Sequence, residues 1–204
     1  MYAQEGREPG VLNILGIGAI RLDQWNEAHL WDNNQITLGS AISDGTEYSF
    51  YNNIASKNNN DTNLSEDSKL PEGHEFIVMK YGLYFPPDWL FANMLAVIEN
   101  TYIWFETGNS KVRRRAPTWC WPIGLGISGV YAQDATASGP VYKHTCQLGV
   151  PSRGAVSDLL IPVTIVNRLS FKAVLRFEVA TTLTSSGTNE VWFVCDGFKK
   201  RPIM

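Results

Sequence analysis

The chain has 204 residues, of which 44% are hydrophobic and 18% charged, and its formal net charge is −3. That composition argues against wholesale disorder and leaves material for a sizeable core, and one all-β sandwich or barrel absorbs the whole length. The charge balance argues against a general nucleic-acid binder but allows a local basic patch, and thin charging suits a chain that hides surface in an assembly. Cys120, Cys146 and Cys195 are widely separated, with no C-x-x-C pair, and read as reduced, packed thiols rather than a zinc site or a disulfide framework. The opening "MYAQEGREPG" has no basic run leading into an apolar core, and the apolar-rich stretch Val11 to Ile20 is short of the ~20 residues that span a bilayer. The expectation is a soluble protein made inside the cell.

Residues 1–34 read as an N-terminal arm or helix. Ile17, Ile20, Trp25 and Ala28 recur at roughly helical spacing with Arg21, Asp23 and Asn26 between them, while a flexible arm docking on a neighbour fits equally well. Residues 35–198 read as the β-rich main domain and 199–204 as a basic tail. "QITLG" and "TEYSFY" alternate as short strands. The polar stretch "NNIASKNNNDTNLSEDSKLPEG" reads as a long loop that cannot pack independently, and "HEFIVMKYGLYF" after it as a strong strand. "PPDWLFANMLAVIEN" is the best internal helix, with Asp88 as its cap and Leu90, Met94, Val97 and Ile98 on one face. "TYIWFETG", "PVYKHTCQLG", "DLLIPVTIV", "LSFKAVLRFEVATTL" and "EVWFVCDGF" complete a set of roughly eight to nine short strands. Helices do not alternate with these strands, so the pattern favours a two-sheet sandwich, of which the jelly roll is the eight-stranded version, over βαβ units.

"WPIGLGISGV" spells G-x-G-x-x-G through Gly124, Gly126 and Gly129. A dinucleotide loop needs a buried strand before it, a helix after it and an acidic residue ~20 positions on. Here Pro117 and Pro122 precede the glycines, "VYAQDATASGPVYK" follows, and nothing acidic falls between Asp134 and Asp158. The glycines read instead as a glycine-rich loop or kinked strand. His29, His74 and His144 are isolated and form no H-x-H metal pair, and no G-x-S-x-G elbow is present. Glu99, Glu106, Glu178 and Glu190 are carboxylates that a sandwich hydrolase would need in pairs, but no spacing selects a pair.

Two basic clusters remain. Lys111, Arg113, Arg114 and Arg115 follow the turn "TGNS", and Lys199, Lys200 and Arg201 lie near the last residue. Either suits a solvated face or partner-chain salt bridges, or contact with phosphate from nucleic acid or lipid head groups. Trp119 and Trp121 flank Cys120 and would share a face of an extended strand, as an inter-subunit anchor or a sugar-stacking pair.

Several stretches carry a resemblance. They are "FYNNIASKNNNDTNLSEDSKLPEGHEFIVMKYGLYF", "IENTYIWFETGNSKV", "PIGLGISG", "LLIPVTIVNRLSFKAVLRFEVATTL" and "EVWFVCDGFKKRP", within Tyr48 to Pro202. In order and pattern the chain resembles the jelly-roll major capsid proteins of tailless icosahedral bacteriophages, including those with an internal membrane. The resemblance implies a single jelly roll that self-assembles into an icosahedral shell, with no enzymatic activity and no cofactor. Its partners would be further copies, other capsid proteins, and an internal membrane or the packaged genome, and its place the virion. On that reading, removing Met1 to Asp23 leaves a folded domain that assembles poorly. The alternatives are a carbohydrate-binding jelly-roll module or receptor-binding spike, and a sandwich hydrolase.

Overall fold

The computed structural model describes residues 4–5, 11–14, 16–21, 23–86, 89–108, 111–121, 132–134, 141–143, 157–167, 169–185 and 189–200. In chain order the strands are β1 (Gln4–Glu5), β2 (Val11–Ile14), β3 (Gly18–Arg21), β4 (Trp25–Gln35), β5 (Ala41–Ile42), β6 (Glu47–Phe50) and β7 (Glu75–Tyr84). The helix α1 (Phe91–Asn100) follows, then β8 (Thr101–Thr107), β9 (Lys111–Pro117), β10 (Ala132–Asp134), β11 (Val141–Lys143), β12 (Ser157–Val166), β13 (Phe171–Phe177), β14 (Thr181–Thr182) and β15 (Glu190–Lys200).

Two antiparallel four-stranded sheets make the body of the fold, in the orders β12-β7-β15-β4 and β6-β13-β8-β9. Their eight strands pair in nested fashion. The first, β4, pairs with the last, β15; β6 pairs with β13, β7 with β12, and β8 with β9. The contacts of β15 with β7 and of β13 with β8 complete each sheet. Period-two patterning explains these strands. In β8 each of Thr101, Ile103, Phe105 and Thr107 is buried and the residues between them are half-buried, and β15 buries Val191, Phe193 and Cys195 in the same rhythm.

The inner faces of the two sheets meet in one aromatic core. Phe105 stacks on Phe193 from the opposite sheet, with centroids 6.1 Å apart and rings 4° from parallel. Tyr81 packs against Phe105 at 4.9 Å, and Phe50 against Phe193 at 5.8 Å. Burying each such ring contributes about 1.5–3 kcal/mol, so the shared aromatic layer is the main tie between the sheets. The helix α1 adds Met94 and Val97 to this core. Asn93 on α1 clamps the chain beyond β14, donating to the Thr184 carbonyl and accepting from the Thr184 N–H, both at 2.9 Å. The expected cap, Asp88, lies outside the described residues; Leu90 occupies the cap position without a side-chain bond.

The N-terminal segment corrects the sequence reading. In place of a helix it forms strands: β2 and β3 make a hairpin, and β4 is an integral strand of the first sheet along its full length with β15. Strand β4 runs through residues 34 and 35 without a break. The apolar residues that mimic a helical stripe do different work. Ile14, Ile20 and Trp25 cluster with Ile77 on the outer face of the first sheet, with Leu12, Ile17, Met79 and Phe198 packed alongside. The hairpin thus covers its own sheet. The expected strand "QITLG" begins where β4 ends, although Ile36 remains buried. Lys199 and Lys200 belong to β15 rather than to a tail.

The central strand β15 meets β7 at a β-bulge, where the register shifts between Asp196 and Gly197. Gly197 is dictated by this approach: a Cβ there would lie 1.8 Å from the Ile77 carbonyl oxygen.

Candidate functional site

The basic strand β9 forms one edge of the second sheet. Its register with β8 places Arg115 opposite Trp104 and Arg114 opposite Phe105, then shifts so that Val112 faces Glu106 and Lys111 faces Thr107. That bulge sorts the cations. Arg114 turns inward, its guanidinium 4.4 Å from the Trp121 ring centroid and within 3.5 Å of the Cys120 carbonyl. Partial burial pulls its pKa below the usual guanidinium value, with the Tyr81 phenol opposing. Arg115 lies over Tyr102 at 5.0 Å and Trp104 at 5.6 Å on the outer face. Arg113 donates from Nε to the Thr107 hydroxyl at 2.6 Å. Lys111, Arg113 and Arg115 are all exposed.

The strand runs into a 3-10 turn, Thr118–Cys120. Three residues per turn replaces the period of two, so residues two apart no longer share a face. This corrects the expectation of a paired platform at Trp119 and Trp121. Trp119 is 63% exposed, whereas Trp121 is 2% exposed. The Trp121 indole donates to the Ala116 carbonyl at 3.3 Å and packs on Tyr81 at 5.6 Å. Arg114, Trp121 and Tyr81 therefore form one layered contact. Val112 is also 46% exposed, so the edge shows cations, an indole and an aliphatic side chain together.

The second basic cluster belongs to the other sheet. Lys200 pairs with Glu75 at 3.1 Å and sits 5.9 Å from the Trp25 ring centroid. Lys199 is half-buried in the ladder between Asn26 and Phe76. Arg201 lies outside the described residues, as do the glycines of the "GLGISG" stretch, His144 and Cys146.

The carboxylates are dispersed. Glu106 is bonded to Lys172 at 3.0 Å, Glu178 faces Arg176 at 3.4 Å, and Glu99 is exposed on α1. Glu190 opens β15, its carbonyl accepting from the Trp89 indole. His29 meets Asp196 at 2.7 Å across the β4–β15 pair. Among the described residues, no three His, Cys, Asp or Glu side chains gather where they would share a metal ion. Burial raises the pKa of the Cys195 thiol and of the Tyr51 phenol that bonds to it at 3.4 Å. Both stay neutral and serve packing.

Two features had little signal in the sequence. Asp32 on β4 is fully buried, with Oδ2 accepting from Lys57 Nζ at 2.7 Å and from the Tyr51 N–H. Burial raises its pKa above the usual carboxylate range, and Lys57 acts against that rise. This pair anchors the long polar loop to the first sheet, helped by the Asn33 amide donating to Asp61 at 3.0 Å. The same loop and β4 border a broad, shallow depression of about 400 Å³, lined by Trp31, Asn59, Asn63, Leu64 and Ser65. Its central amide is committed: Asn63 accepts from the Trp31 N–H and donates to the His29 carbonyl.

Comparison with protein-family models, with curated proteins and with solved structures gives no match. The chemistry therefore rests on the geometry alone. Dispersed acids and neutral buried thiol and phenols offer no assembled reacting group among the described residues. The edge of the second sheet offers a contact surface.

Proposed function

We propose that this chain is a structural subunit, a single jelly roll that self-assembles into a bacteriophage capsid shell. The observation that carries the reading is the nested strand pairing. A chain that folds over as one long hairpin and then wraps into two facing sheets pairs first with last and inward in order, which is how two Greek keys build a jelly roll. Here β4 with β15, β6 with β13, β7 with β12 and β8 with β9 follow that rule.

Surface chemistry supports the assembly half of the reading. Interface cores are enriched in Trp and Arg, and the β9 edge presents Arg113 and Arg115 on the strand with Trp119 in the turn that follows it. Exposed Ile161, Val179 and Leu169 add apolar surface elsewhere. The resemblance of the segment order to phage capsid proteins points the same way. Electron microscopy of the purified protein tests the proposal: closed particles or regular arrays are expected, and a lone monomer at high concentration overturns it.

A further inference from the structure

The second sheet has two edges, and they differ in charge. At β9 the exposed groups are Lys111, Arg113 and Arg115, flanked by Val112 and Trp119. At the opposite edge lies β6. Asp44, in the turn before β6, and Glu47, its first residue, are exposed. The chain beyond β6 carries this edge on: the Ser68 N–H donates to the Tyr51 carbonyl, and the Ser68 carbonyl accepts from the Phe171 N–H at the start of β13. Glu66 and Asp67, just before Ser68, are exposed there as well. Lys69 and Arg176 are the cations on this side, and Arg176 is held by Glu47 and Glu178.

We infer that this sheet associates head to tail with a second copy of the chain, the basic β9 edge of one subunit against the acidic β6 edge of the next. The inference rests on the capsid reading and deepens it by naming the contact. Like charges set against each other are repelled, so a β9–β9 contact, which two-fold symmetry would require, is disfavoured. The heterologous contact sets Lys111, Arg113 and Arg115 against Asp44, Glu47, Glu66 and Asp67 instead. Val112 and Trp119 supply desolvated anchors beside the charge pairs. A heterologous contact closes into rings or extends into arrays according to its rotation, which is what a shell subunit needs.

The test uses two charge-reversed full-length proteins and their mixture. One carries Lys111→Glu and Arg113→Glu, the other Glu47→Lys and Glu66→Lys. Circular dichroism establishes that each folds, and sedimentation velocity and electron microscopy follow assembly. Each variant alone is expected to need at least about tenfold more protein than the wild type to associate, since it juxtaposes like charges. Mixed in equal amounts they are expected to recover association, because acidic β9 edges then meet basic β6 edges. Recovery in the mixture also establishes that both variants are competent. Wild-type particles with variants that assemble as readily, or a mixture of folded variants that does not recover, overturn the inference and leave the capsid reading standing. A wild-type protein that stays monomeric overturns both. Single-stranded DNA that binds the wild type saturably and is lost on reversing β9, while assembly is unchanged, assigns the edge to nucleic acid and overturns the inference.

Discussion

Replacing Gly197 with alanine probes the two-sheet arrangement at its most crowded point. The added Cβ would stand 1.8 Å from the Ile77 carbonyl oxygen, 2.9 Å from its carbon and 3.2 Å from the Met79 nitrogen. All three are backbone atoms, so no side chain can swing aside. β15 cannot retreat either, because Gly197 is also paired with Ala28 on β4. The strands must part by about 1 Å or more at the bulge, which overpacks the site at a cost of about 1–3 kcal/mol. Two weakened ladder bonds at about 1 kcal/mol each bring the loss to about 3–5 kcal/mol. Urea unfolding followed by tryptophan fluorescence reads this as a lower midpoint at unchanged slope. In thermal unfolding it corresponds to a drop of roughly 10 °C for a chain of this size. A loss under about 1 kcal/mol would refute the bulge geometry and the β7–β15 register with it.

Three further outcomes follow from the packing. Lys57→Met leaves the buried Asp32 carboxylate without its cation, a loss of about 3–5 kcal/mol at neutral pH. The folded-state pKa of Asp32 is already raised, so its favourable contribution is complete below the unfolded value and is lost as pH rises through the folded one; removing Lys57 raises the folded value further. The deficit of the variant against wild type should therefore shrink as pH falls from 7 toward 4, and a deficit independent of pH would contradict the buried pair. Removing residues 1–23 should uncover Trp25, Ile77, Met79 and Phe198, lowering the unfolding midpoint and raising dye binding to exposed apolar surface. To the expectation of a folded domain that assembles poorly this adds a loss of stability, and an unchanged midpoint would contradict the docked hairpin. Trp119→Ala should leave stability within about 0.5 kcal/mol while raising the concentration at which particles form, and saturable binding on a glycan array lost in this variant would favour the carbohydrate reading.

The strands that read correctly are those whose two faces meet different surroundings. Thr101 to Thr107 and Glu190 to Asp196 alternate because one side faces the aromatic core. β4 misleads for a physical reason. Its buried side chains include Asp32 and Asn33, which are satisfied by Lys57 and Asp61 from a loop distant in sequence, so the apolar rhythm is broken. On its outer face Trp25 is buried by the hairpin cluster while Glu27 and His29 stay exposed, so that face shows no uniform polar rhythm either. The only local signal was the pair Ala28 and Leu30, both packed toward the main core. At the candidate site the cations of β9 were legible as a cluster, but their sorting was not. The bulge between Phe105 and Glu106 turns Arg114 onto Trp121 and leaves Arg113 and Arg115 outside, and the 3-10 turn separates Trp119 from Trp121. Neither a bulge nor a single 3-10 turn leaves a periodicity that sequence can display. The acidic character of the opposite edge was hidden for a similar reason, since Glu47 and Glu66 fall along one sheet edge only when the loop docks beside β13.

The most direct measurement of the assembly claim is negative-stain electron microscopy of the purified wild-type protein across a concentration series at low and high salt. Closed, uniform particles or ordered sheets that thin out as salt rises are the expected result, because opposite charges at the subunit edges are screened. Single small particles at every concentration and salt would contradict it.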